Sequence, residues 1–344
     1  MKRLPLILLV LLGLLALADY LLAARQQHQR LSAGVLRPLA AAPTAPPRRL
    51  QLQLGQESWS YVWQGGAWRY PAYFDAFAQA EGIAYVLDSA LRASGTVYSA
   101  GGEDLTRLGL RPEQALRLKI QDEGGASLLE VWIGRGIPGP GAQECYARLA
   151  SGDTIFHLHA NPRLALGRSA PPLLDTRVLP AALGRKPIAR IEFAREGYAL
   201  RSLRRLQTTP TLPTMPGRPP QMPEYQWLAN TGGRDQVCGT ANAFAYVDFL
   251  GQLRWVALRD PHLDFGPVQG RLRLADEDDS TDVIEVGGPD EQGRPLLRHQ
   301  GTGLVCALAP DQAALLFPSQ AALLDTLPAA SPYRRAAPAA EGGF

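Results

Sequence analysis

The chain has 344 residues, of which 46% are hydrophobic and 19% are charged, and its formal net charge is +3. This length is sufficient for two domains that each bury a core of their own. A small positive charge spread over so long a chain excludes a strongly basic nucleic-acid-binding protein, because such proteins need a concentrated basic face. The three cysteines are too few and too scattered for the disulfide framework of a small secreted protein.

An apolar segment, residues 4–24, follows Lys2 and Arg3 at the N-terminus. As a helix it would be about 31 Å long, which matches the hydrocarbon thickness of a bilayer. The two basic residues favour a cytoplasmic N-terminus. Because arginine far outnumbers lysine, as in GC-rich bacterial genomes, we expect a single-pass protein of the bacterial inner membrane with its body in the periplasm. The alternative is a signal peptide cleaved after Ala18, and both alternatives export the body.

A predicted β-hairpin follows a tether rich in proline and alanine. Its alternating pattern begins at Leu50 and brings several large rings close together. These are Trp59, Tyr61, Trp63, Trp68 and Tyr70. A row of rings can stack against a sugar or a partner peptide, so these residues are a candidate ligand or partner surface. The alternative is that they are core residues, which cover the helix that follows.

Apolar residues between Tyr73 and Ala93 have helical spacing, and residues 116–159 supply four predicted strands separated by short turns. Consecutive strands joined by short turns indicate an antiparallel meander. A similar succession of tryptophan, helix and strands begins again at Trp227. We therefore predict the α+β fold class, with two repeated modules that each pack an amphipathic helix on an antiparallel β-meander, behind a transmembrane helix.

Six prolines between Thr208 and Pro223 mark a linker, because such a run cannot hold a regular element. The strand predicted over residues 188–194 is assigned to the first module. The predicted boundaries are 1–24 for the anchor, 25–49 for the tether, 50–200 for the first repeat, 201–223 for the linker, 224–325 for the second, divergent repeat, and 326–344 for a disordered tail.

Two histidines, His157 and His159, lie two positions apart in a predicted strand, so their rings face the same side. Such a pair can begin a zinc or copper site, but no third ligand is evident, and Asp153 would lie across a turn. The alternative is two ordinary strand residues. The four carboxylates of residues 276–279 lack the spacing of a calcium loop and are more typical of a solvated turn.

A cysteine nucleophile would need a histidine base, and Cys238 could use only His262 or His299, neither of which lies in a recognisable motif. Cys145 and Cys306 could form one bridge, although small buried residues are the simpler interpretation. No phosphate-binding or nucleophile-elbow motif is present. We therefore expect no enzyme, no catalytic residue, no cofactor and no metal.

Three short motifs carry a resemblance to a known family: a Trp-Arg-Tyr-Pro step at residues 68–71, a Leu-Gly-Leu-Arg-Pro segment at 108–112, and Trp-Ile-Gly at 132–134. With the Tyr-x-Arg strand that begins at Tyr146, they resemble the bacterial envelope proteins known as domain of unknown function 4340. The resemblance implies a membrane-tethered protein, sometimes associated with ABC-type transport components.

The expected function is a non-enzymatic, membrane-anchored envelope accessory or interaction protein that serves a transporter or secretion assembly. The alternative is an extracytoplasmic glycan- or peptide-binding module. The expected partners are the membrane, through the N-terminal helix, and proteins of the cell envelope, whereas nucleic acid is not expected.

Overall fold

A computed structural model describes residues 36–39, 43–99, 104–138, 143–167, 171–184, 186–208 and 225–324. The chain divides into two compact units. The first consists of Met1–Arg69 and Ala78–Leu173, and the second consists of Tyr70–Phe77 and Leu174–Phe344.

The first sheet has ten strands, in the order β1-β6-β10-β9-β8-β7-β2-β3-β4-β5. Their bounds are β1 Arg37–Pro38, β2 Arg49–Leu54, β3 Glu57–Gln64, β4 Ala67–Tyr70, β5 Ala76–Phe77, β6 Ser94–Ser99, β7 Leu116–Gln121, β8 Ser127–Gly136, β9 Cys145–Leu149 and β10 Ile155–Leu158. Helix α1, Ala80–Leu91, connects β5 to β6. A short 3-10 helix, Pro162–Leu166, follows β10.

The second sheet has nine strands, in the order β14-β13-β12-β11-β16-β17-β18-β19-β15. Their bounds are β11 Ile188–Ala194, β12 Leu200–Gln207, β13 Tyr225–Thr231, β14 Arg234–Val237, β15 Trp255–Arg259, β16 Gly270–Asp276, β17 Thr281–Pro289, β18 Pro295–His299 and β19 Val305–Leu308. Helix α2, Thr240–Gln252, connects β14 to β15, and two short helices follow β19: α3, Pro310–Ala314, and α4, Gln320–Leu324.

Strand β2 joins two groups of strands into the single ten-stranded sheet. Its leucines Leu50 and Leu52 are fully buried, whereas the glutamines beside them face outward, as alternation requires. The strand pairs with β3 on one side, where Leu52 lies opposite Trp59, and with β7 on the other, where it lies opposite Leu118. The hairpin before the helix and the meander after it therefore form one continuous sheet.

The predicted fold class is wrong. The described residues are mostly β, and neither unit is a helix packed on a four-stranded meander. The prediction failed because it did not pair strands across the helix, as β2 does with β7 and β11 does with β16. Strands β11 and β12, which the sequence analysis assigned to the first repeat and the linker, belong to the second sheet.

The two sheets share an order of strands. From the edge at β5, the first sheet runs β5-β4-β3-β2-β7-β8-β9-β10-β6, and from the edge at β14 the second runs β14-β13-β12-β11-β16-β17-β18-β19-β15. In each row the strand that comes first in the sequence, β2 or β11, lies in fourth place. The strand that follows the long helix, β6 or β15, lies beside the last strand of the meander, β10 or β19. Strand β1 is an addition at the edge of the first sheet.

We also correct the predicted localisation in the bacterial inner membrane with a periplasmic body. Among the described residues, no helix is both long enough and apolar enough to cross a membrane. The longest of them has 13 residues, whereas a transmembrane helix needs about 20. The predicted anchor at 1–24 and the predicted tail at 326–344 lie outside the described residues.

A close backbone contact explains two of the family-like motifs. Leu108 and Leu110 are buried against the first sheet, and the carbonyl oxygen of Leu108 accepts a hydrogen bond of 3.0 Å from the amide of Arg135. A Cβ atom on Gly134 would lie 2.4 Å from that carbonyl oxygen, so only glycine fits there. In the second sheet a Cβ atom on Gly287 would lie 2.6 Å from the carbonyl oxygen of Phe265.

Candidate functional site

The aromatic residues predicted as a ligand surface lie mainly in the core. Trp59, Tyr61, Trp68 and Tyr70 are buried, and the hydroxyl of Tyr61 donates a hydrogen bond to the carbonyl oxygen of Pro172. Only Trp63 is partly exposed, at 38%. Its ring lies 5.8 Å from that of Trp68, so even this residue is held against the core.

The three cysteines are buried free thiols, and no disulfide joins them. Burial raises the pKa of Cys145 and of Cys306 to about 12, and that of Cys238 to about 11. Because the thiolate is the nucleophilic form, these pKa values disfavour a reactive cysteine. His299, one of the bases considered for Cys238, is buried and makes hydrogen bonds with Asp282 and Thr302.

The acidic cluster at residues 276–279 forms the turn between β16 and β17. Asp276 accepts hydrogen bonds from the backbone amides of Asp278 and Ser280. Glu277, Asp278 and Asp279 pair with Arg205, Lys186 and Arg190 respectively. The cluster is therefore an internally bonded turn whose charges are matched by basic side chains of the second unit.

The two histidines of β10 do meet a third polar residue, which the sequence analysis missed. Glu144 immediately precedes β9, and β9 pairs with β10 so that Tyr146 lies opposite His157. One carboxylate oxygen of Glu144 lies 2.8 Å from Nε2 of His157, and the other lies 2.9 Å from Nδ1 of His159. Asp153, the ligand considered from the sequence, instead pairs with Arg148 at 3.3 Å.

The hydrogen bonds from His157 and His159 hold the pKa of Glu144 below its ordinary value. An ionised carboxylate can only accept hydrogen bonds, so the ring nitrogens that face it carry protons. In neutral His159, a proton on Nδ1 leaves Nε2 as an acceptor. The described residues contain no group of three side chains arranged to hold a metal ion. The three residues form a hydrogen-bonded cluster instead.

A row of four rings runs along the same part of the sheet. The ring centroids of Tyr98 and Tyr146 lie 5.1 Å apart, those of Tyr146 and His157 lie 6.3 Å apart, and those of His157 and His159 are stacked at 5.4 Å. Tyr98, at the outer end of this row, is exposed, and its hydroxyl lies 3.2 Å from a guanidinium nitrogen of Arg107.

A cleft of about 320 Å³ lies between this cluster and helix α1. Tyr85, Asp88 and Arg92 contribute from the helix, and Asp88 pairs with Arg92 at 3.0 Å. The remaining lining residues are Ser89, Ala93, Ser94, Gln143, His159 and Ala160. Residues at positions 85, 88, 89 and 92 lie on one face of a helix because they are three or four positions apart. The cleft thus combines a charge pair, the amide of Gln143, the hydroxyls of Ser89, Ser94 and Tyr85, and the rings of Tyr85 and His159.

Glu144 could be recognised only from the pairing of β9 with β10. In the antiparallel register of β9 and β10, Cys145 lies opposite Leu158. Continuing that register by one residue places position 144 opposite His159. The missing information was that register, since the preceding Gly- and Pro-rich loop gives no indication of where β9 begins.

No curated protein and no solved structure matches the chain. A family model, described as a domain of unknown function (DUF4340), matches residues 68–230. The matched range includes the Trp-Arg-Tyr-Pro step, the Leu108–Gly134 contact and the Glu144 cluster. Over residues 68–230 the chain is therefore similar to the family described as a domain of unknown function (DUF4340).

Proposed function

We propose that this protein is a non-enzymatic binding protein and that its first unit binds a small neutral saccharide. The observation that carries the proposal is the cleft beside α1, where His159, held by Glu144, faces the helix residues Tyr85, Asp88 and Arg92. Ligand sites commonly combine a concave surface with a few convergent polar groups, and this cleft has both.

The charges favour a neutral ligand. Asp88 and Arg92 compensate each other at 3.0 Å, and Glu144 is bonded to two histidines. Asp88 would repel a strongly anionic ligand in the cleft, and Arg92 would repel a strongly cationic one. A neutral saccharide carries no charge, and its hydroxyl groups can both donate and accept hydrogen bonds. The cleft offers acceptors on Asp88 and donors on Arg92 and Gln143.

The size and the rings favour a sugar over a peptide. A cleft of about 320 Å³ lies at the lower end of the range for small-ligand sites, which is roughly 300–1,000 Å³. A bound peptide strand would need an extended groove. The exposed ring of Tyr85 can stack on the C–H face of a sugar, because an aromatic side chain has a polar tip and an apolar face.

The test is a saccharide array probed with the purified chain, followed by calorimetry with the best binder. His159→Ala should weaken the affinity about tenfold, because one hydrogen bond and one ring face are lost. His262→Ala, which changes an exposed histidine of the second unit, should leave the affinity unchanged. The proposal would be contradicted if the chain bound no saccharide, or if His159→Ala and His262→Ala lost the same amount of affinity.

At the level of the cell, we propose that this binding serves an accessory role in a transporter or secretion assembly. The support for this wider role is the family resemblance alone. Affinity purification of the tagged chain from its native cells should recover components of such an assembly. Recovery of the chain without a reproducible partner would count against the accessory role and would leave the saccharide test unaffected.

A further inference from the structure

The second unit contains a cavity that none of the features above uses. It has a volume of about 310 Å³ and lies where β17, β18, α3 and the turn after β11 meet. Its lining residues are Arg195, Gln269, Val286, Gly287, Pro289, Pro295, Pro310, Ala313, Ala314 and Phe317.

Seven of the ten residues that line this cavity have apolar side chains, and these side chains offer no hydrogen-bond donor. Pro289 and Pro295 lie opposite each other at the end of the β17–β18 pair, and Pro310 begins α3. Proline has no backbone N–H, so three positions of the wall offer no donor. Alanine, valine and phenylalanine side chains supply the rest of the apolar lining. Such a wall suits a hydrocarbon group.

The ring of Phe317 is held in place from several sides. A Cβ atom on Gly270 would lie 2.5 Å from this ring, so the glycine leaves room for it. The ring of Tyr198 packs edge-on against it at 5.5 Å, and the hydroxyl of Tyr198 donates to the carbonyl oxygen of Pro318. The ring of Phe193 lies 6.4 Å away. Phe317 is therefore a fixed part of the wall.

Arg195 provides the one positive charge of the lining. Its guanidinium carbon lies 5.0 Å from the centre of the Phe317 ring. Within the described residues the guanidinium makes no hydrogen bond and no ion pair. Gln269 adds an amide that can donate a hydrogen bond. A second cavity shares Arg195 and Gln269, and its lining adds the carboxylate of Glu196. Arg271, which also lines that cavity, is paired with Glu285 at 2.7 Å.

We propose that this cavity binds a small apolar monocarboxylate, with the carboxylate on Arg195 and Gln269 and the hydrocarbon chain between the prolines and Phe317. An arginine without a counter-ion can bind a carboxylate by paired hydrogen bonds, and its stacking on a ring fixes the orientation. This site is independent of the saccharide cleft, because the two sets of lining residues belong to different units.

The experiment is calorimetry on the full chain with sodium octanoate and with 1-octanol, which has a similar chain and no charge. Octanoate should bind, and Arg195→Gln should weaken its binding about tenfold, because a charge-assisted hydrogen bond is lost. The weaker binding of 1-octanol should not change in that variant. Arg201→Gln, which changes an exposed arginine of β12 outside the lining, should bind octanoate as the unmodified chain does.

A second variant tests the position of the hydrocarbon chain. Ala314 is exposed at the rim of the cavity, so Ala314→Phe should fold and should reduce the affinity for octanoate by narrowing the entrance. Unmodified chain that does not bind octanoate would overturn the proposal. So would an Arg195→Gln variant with unchanged affinity, or an Arg201→Gln variant that loses as much affinity as Arg195→Gln.

Discussion

The carboxylate of Glu144 accepts hydrogen bonds from two histidines, and these bonds lower its pKa in the folded protein. A carboxyl group with a lowered folded pKa stabilises the fold above its unfolded pKa, and this contribution is lost as the pH falls through the folded value. Because the group is at the surface, we expect a clear change in its titration and only a small effect on stability.

A carboxyl-carbon NMR titration measures this directly. The midpoint for Glu144 should lie below the ordinary value for glutamate, which is about 4.3, and it should return toward that value in the His157→Ala/His159→Ala double variant. Glu113, an exposed glutamate outside the cluster, serves as the reference. A Glu144 midpoint at or above the ordinary value would show that the cluster does not form in solution.

The side chain of Asp290 in the second unit is only 4% exposed, and its carboxylate pairs with Arg259 at 2.6 Å and with Arg294 at 2.9 Å. Burial opposes its ionisation. The hydrogen bonds from the two arginines and from the backbone amides of Gln292 and Arg294 outweigh that effect and hold the pKa of Asp290 well below its ordinary value. Its stabilising contribution is therefore present at neutral pH and is lost in strong acid.

Asp290→Asn should lower the free energy of unfolding by about 2 to 3 kcal/mol at neutral pH, because two arginines lose their counter-ion. The difference from the unmodified chain should shrink as the pH falls below about 4, where the carboxyl groups of the unfolded chain become protonated. Denaturant unfolding at several pH values measures this difference in the free energy of unfolding. Asp248 is exposed, so Asp248→Asn should be nearly neutral and serves as the control. A pH-independent difference would contradict the assignment.

At the scale of elements, each sheet has a strand that a neighbouring segment approaches very closely. The carbonyl oxygen of Leu108 lies over Gly134 in β8, and that of Phe265 lies over Gly287 in β17. Neither glycine has a positive φ angle, so the requirement is one of space and not of backbone conformation. This contact gives a physical reason for the Ile-Gly and Val-Gly steps at the two positions.

The neighbouring glycines of β17 allow a matched comparison. A methyl group on Gly287 would lie 2.6 Å from a backbone oxygen, whereas a methyl group on Gly288 would have no heavy atom within 4 Å. Gly287→Ala should therefore lower the free energy of unfolding by about 1–3 kcal/mol, and Gly288→Ala should change it by less than about 0.5 kcal/mol. Equal effects in the two variants would mean that Phe265 does not lie over Gly287.

At the scale of the whole molecule, the sequence predicted local features better than distant pairings. The alternation at Leu50 and Leu52, the helices α1 and α2, and the hairpins of the meanders can all be recognised from short patterns. The pairing of Leu50 with Ile120 and of Ile191 with Leu274 joins residues about 70 to 80 positions apart, and no short pattern encodes it. The large sheets follow from those pairings, so they could not be predicted.

The candidate sites show the same division. The pair of His157 and His159 was evident from alternation, whereas Glu144 became a neighbour only through the register of β9 and β10. The aromatic residues around Trp59 were evident too, but alternation does not say whether a strand face is exposed or covered. Four of the five are buried. Alternation and composition leave both a ligand surface and a core open, and burial decides between them.

The central functional claim is that the first unit binds a saccharide in the cleft between α1 and the Glu144 cluster. Backbone NMR of the labelled chain, titrated with the best saccharide of the array, tests it most directly. We expect the shifted amide signals to belong to residues 85–94, 143–146 and 157–160, which line or support the cleft. Shifts confined to other parts of the chain, or none at saturating saccharide, would contradict the claim.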